Sequence, residues 1–493
     1  MNYSLLASSF VIISLSAGCA SRGNVSPQSQ PLNSAQIEAG SAIDQAALGG
    51  GADEQWWKVF GDPQLNTLVA RAVSESPSLR MAAGRIAQAQ ALAGSAHAGL
   101  GPTLGASAEF QRLHFSEVGE TPPPLAGGES WDNNIDLRLS YDLDFWGKNR
   151  SALEAALGSL RAAQLDARYS QLALQTSVVR SYLQLSYAYA LDDVLSATVA
   201  QREQVLELTR RRHDAGLAPQ LQVSQAEAEV APVRVRLEQA RNRIVTLRHQ
   251  LAALSGQGPG AGDAIARPQV AAHAAATLPS VVPAELLGRR PDIVAARWRI
   301  EAAGKGIDVA QAQFYPDVNL SAFVGLQALG FDELFQANAR TLGAGPAITL
   351  PIFDGGRLRA NLAGRTAAYD LAVDQYNDSV LGAMREVADQ IATVGSTARQ
   401  RDQAEAALAA SRKAFDEAQL GFRAGLTDFL TVLSTQTALL TQQQELAQIV
   451  AAELDARALL MQALGGGFRD TDDSAALIQR AADRHPPQPP ATQ

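Results

Sequence analysis

The chain has 493 residues, a formal net charge of −9 and a single cysteine. The acidic balance supplies no basic face of the kind nucleic acid requires, and one cysteine excludes an intrachain disulfide. Only 18% of the residues are charged, while alanine, leucine, glutamine and glycine dominate, a mixture that favours long helices packed through small side chains.

Residues 4–18 form an apolar core too short to cross a bilayer, followed by small residues, which predicts a signal peptide over 1–18. Its end, Leu15-Ser16-Ala17-Gly18-Cys19, resembles a bacterial lipobox. In that motif small residues let the signal peptidase reach the backbone, and Cys19 then carries the anchoring lipid. Ala20, where an Asp would hold a lipoprotein back, points to onward sorting to the outer membrane. No Lys or Arg precedes the core and Ser16 replaces a larger aliphatic, so an ordinary cleaved signal with an incidental Cys19 stays open. No later apolar run reaches the ~20 residues of a transmembrane helix; a mature chain that crosses a membrane does so with strands. Residues 19–52 are rich in Ser, Gln, Gly and Ala and read as an extended tether. Ordered sequence is expected from about 53, opening on Trp56-Trp57-Lys58-Val59-Phe60-Gly61-Asp62-Pro63. It ends near 468, and the Asp-, Ala- and Pro-rich stretch 469–493 reads as disordered.

Between these ends the chain repeats itself. Pro77, Ala82, Ala89, Ala96, Ala98, Pro102 and Ala108 recur 214 positions later as Pro291, Ala296, Ala303, Ala310, Ala312, Pro316 and Ala322. After a loop shortened by five residues, Gly147, Arg150, Ala215-Gly216-Leu217, Leu221 and Val223 recur at an offset of 209 as Gly356, Arg359, Ala424-Gly425-Leu426, Leu430 and Val432. Two copies follow, 53–260 and 261–468, divided near the Gly-rich segment 256–262.

Each copy is predicted to hold the same elements in the same order. A helix comes first, over 64–98 and again over 284–313. Two segments of alternating pattern follow. In the second of them Ile135, Leu137, Leu139, Tyr141 and Leu143 alternate with Asn134, Asp136, Arg138, Ser140 and Asp142, a strand with one apolar and one wet face. Its counterpart carries Ile348, Leu350 and Ile352. Gly147 and Gly356 then serve as strand-to-helix pivots, where a backbone without Cβ can take conformations closed to other residues. Residues 148–213 contain no proline and one glycine, and 357–424 contain no proline. A helix of 66 residues spans about 100 Å. Gly216 and Gly425 reverse the chain into return helices with heptad spacing: Val223, Val230, Leu237, Ile244 and Leu251, then Leu426, Leu433, Leu440, Ala447, Leu454 and Met461. The fold class is therefore mainly α, in long antiparallel coiled-coil hairpins, with a small β part.

Four two-faced strands cannot cross a membrane alone, since their edge N–H and C=O groups would meet hydrocarbon unpaired. Eight strands make about the smallest membrane barrel, and side chains fill it. A conducting lumen therefore asks for three or more chains, with the hairpins closing a helical tube below the strands.

Taken together, these motifs resemble the TolC-like outer-membrane factors, in the OprM/NodT lipoprotein branch, over roughly 53–468. The resemblance is carried by Trp56–Pro63, by Tyr141-Asp142-Leu143-Asp144-Phe145-Trp146-Gly147-Lys148-Asn149-Arg150, by Arg289-Arg290-Pro291-Asp292-Ile293 and by Phe314-Tyr315-Pro316. Leu350-Pro351-Ile352-Phe353-Asp354-Gly355-Gly356-Arg357 and Gly421-Phe422-Arg423-Ala424-Gly425 complete it. It implies a homotrimer with twelve strands in the barrel and twelve helical strands in the tunnel. It also implies an outer-membrane, lipid-anchored location with a large periplasmic extension, and docking to a periplasmic adaptor and an inner-membrane exporter. In such relatives an aromatic before the hairpin turn and carboxylates after it form a constricted acidic ring. Here Phe422 matches the aromatic and Leu430 an aperture-lining apolar position, but the acidic position falls on Ser434. Gln222, Ser224 and Gln225 stand in the first copy, and Asp428 is the nearby carboxylate. Closure through apolar contacts is therefore expected, with ordinary coiled-coil packing of Phe422 and Leu430 as the alternative.

Enzyme signals are lacking. His97, His114, His213, His249, His273 and His485 show no metal-ligand spacing, and Gly256-Gln257-Gly258-Pro259-Gly260 lacks the Lys-Ser/Thr of a phosphate loop. No cofactor is expected. The function that emerges is a passive outer-membrane exit duct for drugs or other toxic small molecules. A duct for type I protein secretion, and a periplasmic coiled-coil or adaptor protein without a channel, are the alternatives.

Overall fold

The computed structural model describes residues 23–32, 54–271 and 290–468. The expected signal peptide, Cys19 and the tail 469–493 lie outside them. A short 3-10 turn, Trp56–Phe60, leads into α1 (Pro63–Glu75) and α2 (Pro77–Ala98). Asp62 caps α1 by accepting from the Gln64 N–H, with Pro63 at the first helical position. The single helix expected over 64–98 is two helices. Ser76 is held extended (ψ 129°) because the ring of Pro77 disfavours the helical region for the residue before it.

Strands β1 (Thr103–His114) and β2 (Glu129–Asp142) follow, then α3 (Lys148–Asp214) and α4 (Gln220–Leu254). The second half gives α5 (Pro291–Ala312), β3 (Asp317–Leu329), β4 (Arg340–Thr349), α6 (Arg357–Arg423) and α7 (Phe429–Ala463). Residues 284–289, where the second copy's first helix was expected to begin, lie outside the described residues. α2 and α5 have 22 residues each; α3 and α6 have 67; α4 and α7 have 35. The alternation expected to run on through Leu350 and Ile352 stops at Thr349, since Pro351 has no N–H to give a ladder.

Two compact units divide the residues. One gathers 23–31, 85–163 and 296–376. It contains a single antiparallel sheet in the order β1-β2-β3-β4. The two hairpins join through β2 and β3, with Leu137 opposite Val324, which leaves β1 and β4 as open edges. In this unit the described N-terminal stretch is strapped to α6. The Gln28 and Ser29 N–H groups donate to Asp370 (2.9 and 3.0 Å), the Ser29 hydroxyl donates to Asp374, and Val25 packs on Ile307, Phe314, Leu358 and Leu362.

The other unit gathers Leu32, 54–84, 164–271, 290–295 and 377–468. Its core joins Trp56, Phe60, Leu65 and Val69 to Val178, Val179, Tyr182 and Leu185 of α3, Leu247 and Leu251 of α4, and Ala458 of α7. Tyr182, fully buried, donates its hydroxyl to Asp62 at 2.6 Å, so the cap of α1 is fixed by the long helix. The heptad positions Val223, Val230, Leu237, Ile244 and Leu251 of α4 are all buried. In α7 the pattern starts later than expected: Leu426 lies in the turn before Phe429 and is exposed, while Leu440, Leu454 and Met461 are buried.

Candidate functional site

The sheet separates its side chains by chemistry. The face bearing Ile135, Leu137, Leu139 and Tyr141 of β2 continues through Leu320, Val324 and Leu326 of β3 and Leu342 and Ile348 of β4. On β1 it carries Leu104 and Phe110, and Leu104, Leu137, Val324, Leu342 and Ile348 are all exposed. The opposite face carries Ser107, Glu109, Asp132, Asn134, Asp136, Arg138, Ser140 and Asn319. Its polar groups answer one another: Ser107 donates to Asp136 at 2.9 Å, Asn134 to Asp136 at 3.2 Å, and Ser140 to Asn319 at 2.9 Å. The alternation is broken at several positions, and at two of them the local reason is visible. Asn133, on the apolar face, is buried and donates to the Gly330 carbonyl at 2.8 Å, beside a loop whose Phe331 packs on Phe110 and Trp131. Phe323, on the polar face, lies over Gly343, where a Cβ would come within 2.6 Å of its ring.

At the helix ends of β2 and β4 the two expected pivots are built on carboxylates. Asp144 takes the left-handed conformation (φ 43°), rare for a residue with a Cβ. Its carboxylate accepts the N–H groups of Asn149 and Arg150 at 2.9 and 3.0 Å, satisfying the free donors at the start of α3. Gly147 (φ 73°) completes the turn. Asp354 repeats the device before α6, accepting from Gly356 (φ 91°) and Leu358 at 3.0 and 2.8 Å. The Leu358 N–H above all holds the Asp354 carboxyl below the ordinary carboxylate value. Trp146 donates its indole N–H to the Pro316 carbonyl and stacks on Tyr315 at 4.5 Å, while Phe145, Ile352 and Phe353 stand exposed nearby in sequence. Lys148 bridges Asp142 (2.9 Å) and Asp317 (2.7 Å). Partial burial works against its charge, but the two carboxylates outweigh that and raise its pKa above the ordinary lysine value.

The hairpin turns are a matched pair. Leu217 donates to the Arg212 carbonyl and Gly216 (φ 73°) to that of His213. Leu426 donates to Gly421, and Gly425 (φ 77°) to Phe422. Both are Schellman endings, in which glycine supplies the left-handed residue. Of the four aperture candidates, Phe422 is 9% exposed, packed on Phe429 with the Arg212 guanidinium 4.7 Å above its ring. Asp428 caps α7, accepting from the Thr431 hydroxyl and N–H, which hold its carboxyl low. Ser434 is exposed and donates to the Thr431 carbonyl. Leu430, 57% exposed, is the one large apolar side chain among them directed outward.

Two buried guanidinium groups were missed by reasoning from sequence. Arg202, in α3, donates to the Glu229 carbonyl and carboxylate in α4 and to Thr437 in α7. Arg290, 4% exposed, is paired with Asp292 (2.7 Å) and Glu386 (2.8 Å) and donates to the Ala463 carbonyl, tying the start of α5 to α6 and the end of α7. The Arg-Arg-Pro-Asp motif carried that signal, but a motif does not show its partner 96 residues away. Among the described residues no group of His, Cys, Asp and Glu is placed to hold a metal ion. No helix among them is long and apolar enough to cross a membrane.

Known proteins are similar to this chain in sequence and in fold. The chain is 44% identical to the fusaric acid resistance protein FusA of Burkholderia cepacia over 355 residues, 71% of this chain and 67% of the relative. It is 31% identical to the multidrug resistance outer membrane protein MdtP of Escherichia coli K12, over 94% of this chain and 96% of the relative. The crystal structure of the outer membrane protein VceC of Vibrio cholerae superposes with a TM-score of 0.79 at 37% identity, covering 85% of this chain and all of that one. The family model for outer membrane efflux proteins matches residues 68–257 and 282–466, and the chain belongs to that family.

Proposed function

We propose that three copies of this chain close into an outer-membrane exit duct that carries drugs or other toxic small molecules out of the cell. The observation that carries the reading is a sheet with an exposed apolar face, a polar face, and both edges open. Three such sheets give a twelve-stranded barrel with its polar face turned to the lumen, and the paired hairpins of each chain line a helical tunnel. Trp131 to Tyr141 is ten steps along β2. At ~3.3 Å per residue and a tilt of ~40°, that rises about 25 Å, the height of the apolar band of such barrels. Trp131 and Phe110 at one end, and Phe145, Trp146 and Tyr315 at the other, suit the aromatic girdles that border a bilayer. The equal helix lengths and the two separate family matches support an internal duplication over 53–260 and 261–468.

The hairpin tips are the docking ends for a periplasmic adaptor, which links the duct to an inner-membrane exporter that supplies the energy. Leu430 lines the closed aperture, while Phe422 packs between the two hairpins of its own chain, on Phe429 and beneath Arg212. The duct is anchored through an acyl group on Cys19. The described chain begins at Gly23, beside the Arg359 side chain near the start of α6, and four residues reach at most ~14 Å from there. Cargo classes are supported by the relatives, one named for fusaric acid resistance and others for multidrug resistance. A coiled-coil protein without a channel has no use for a two-faced sheet. The reading is tested by heat-modifiable trimers, single-channel conductance in planar bilayers, and drug and fusaric acid susceptibility of a deletion strain. Trimers that conduct nothing, or a strain with unchanged susceptibility, would count against it.

A further inference from the structure

The charges on the polar face of the sheet are acidic with a single exception. Glu109, Asp132, Asp136, Asp142 and Asp317 lie on it, and among the described strand residues of that face Arg138 is the one cation and Phe323 the one aromatic side chain. The ladder places these two directly opposite each other, on β2 and β3. Glycine stands beyond each of them, Gly105 of β1 paired with Arg138 and Gly343 of β4 paired with Phe323. The row across the four strands therefore reads glycine, arginine, phenylalanine, glycine.

Side chains directly opposite in a ladder start from Cβ atoms ~4.5–5.5 Å apart. In this pair they then lean away from each other. The Phe323 ring reaches over β4, where a Cβ on Gly343 would lie 2.6 Å from it. Arg138 turns along β2, its Nε 3.7 Å from an Asp136 oxygen, a separation longer than a hydrogen bond. Asp136 is itself buried and spends its other oxygen on Ser107 and Asn134. The Arg138 side chain is 66% exposed and Phe323 is 41% exposed. A Cβ on Gly105 or Gly345 would meet nothing within 4 Å, so the flanks of the pair stay open.

A ring and a guanidinium side by side, in a wall otherwise acidic, favour one kind of solute. A planar aromatic carboxylate can stack on Phe323 while its two oxygens take N–H groups of Arg138, a pairing that the guanidinium fork matches. An aliphatic carboxylate forgoes the stack, and a neutral aromatic forgoes the ion pair. Elsewhere on the strands the carboxylates repel an anion. We propose that Arg138 and Phe323 form a wall subsite for planar aromatic carboxylates, one in each copy. The subsite rests on the duct reading and deepens it, because it names a class of solute that the lumen wall retains. Retention is weak and brief, since both groups are largely solvated and an exposed ion pair contributes little.

Saturation-transfer NMR on the full-length protein in phospholipid nanodiscs, with empty nanodiscs as background, tests this with benzoate, cyclohexanecarboxylate and benzyl alcohol. Benzoate is expected to bind about 2- to 10-fold more tightly than cyclohexanecarboxylate, the range an aromatic pair supplies beyond area, and more tightly than benzyl alcohol. Phe323→Leu, which still covers Gly343, is expected to bring benzoate to the level of cyclohexanecarboxylate, and Arg138→Gln to that of benzyl alcohol. Equal affinities for the three probes in the native protein, or a benzoate preference that survives both variants, would overturn the subsite. Where that same native protein conducts in planar bilayers, the duct reading stands without it. A native protein that conducts nothing removes the duct, and with it the lumen in which the subsite is placed.

Discussion

Leu137→Arg puts the assignment of the two faces of the sheet to a direct test. Leu137 is six residues from Trp131 and four from Tyr141 along β2 and is exposed on the apolar face. In the proposed barrel, with a rise of ~2.5 Å per residue normal to the membrane at ~40° tilt, it would lie about 15 Å from one girdle and 10 Å from the other, close to the bilayer midplane. An arginine there costs about 2–4 kcal/mol per chain, hence ~6–12 kcal/mol for three. Thr341 offers the matched control: it pairs with Gly325, which pairs with Asp136, so it stands at similar depth on the polar face. Thr341→Arg is expected within about 0.5 kcal/mol of the parent, like other substitutions away from a packed or paired site. The fraction of heat-modifiable trimer recovered from outer membranes, followed by denaturation in lipid bilayers, reads both. Loss of trimers in Thr341→Arg with full recovery in Leu137→Arg would show that the faces are turned the other way.

Three further outcomes follow from the junctions and tips. Leu430→Ala is expected to raise single-channel conductance of the closed duct, whereas Asp428→Ala is expected to leave conductance unchanged and to lower the Tm slightly through loss of the α7 cap; the reverse pattern would move the aperture to Asp428. The lowered Asp428 carboxyl contributes stability above its ordinary value of 3.8, and that contribution disappears as pH falls through the lowered value. Lys148 titrates the other way: its contribution is complete below 10.5 and is lost as pH rises through its raised value. Thermal unfolding of the parent is therefore expected to steepen in strong alkali and that of Lys148→Met is not, with a difference under ~1 kcal/mol because the ammonium is partly solvated; equal alkaline profiles would remove the bridge as a stabilising contact. Arg290→Ala leaves Asp292, Glu386 and the Ala463 carbonyl without their donor, and about 1–3 kcal/mol is expected to be lost because the two carboxylates are partly solvated, read as a lowered Tm and trimer yield; an unshifted Tm would mean that the Ala463 carbonyl and the carboxylates find other partners.

Much of this fold was legible because its elements are long and locally driven. Uninterrupted stretches without proline gave α3 and α6 to within a residue or two, and Gly216 and Gly425 fall where the Schellman turns require a left-handed residue. What failed depended on neighbours remote in sequence or on a single proline. Ser76 sits in a helical pattern on both sides and is broken only by the ring that follows it. Leu350 and Ile352 keep the alternation of β4, but Pro351 removes the donor that would extend the ladder. Asn133 and Phe323 lie on faces that alternation assigns to the opposite chemistry; a loop carbonyl accommodates the one and the missing Cβ of Gly343 the other. The buried guanidinium of Arg202 is invisible for the same reason, because its acceptors come from α4 and α7 and the hairpins alone bring them together.

The open edges of the sheet bear on the width of the proposed lumen. A barrel of two copies would have eight strands, whose interior is filled by side chains. Three copies clear that limit, so in the proposed ring the lumen is a consequence of copy number and not of any one residue. The polar face fits such a lumen: Ser107 and Asn134 share one oxygen of Asp136 and Ser140 pairs with Asn319, so much of its hydrogen-bonding capacity is turned inward. A wall of that kind passes molecules of many shapes and discriminates weakly. Discrimination then falls to the exporter and adaptor at the other end, and a change of cargo is expected to follow a change of pump with this chain unaltered. Exchanging the inner-membrane exporter for one of different drug profile, with this duct kept constant, should carry the resistance profile with the exporter. A profile that stayed with the duct would place selectivity in the sheet or the tips, and would turn attention to Leu430 and to Asp136 and Arg138.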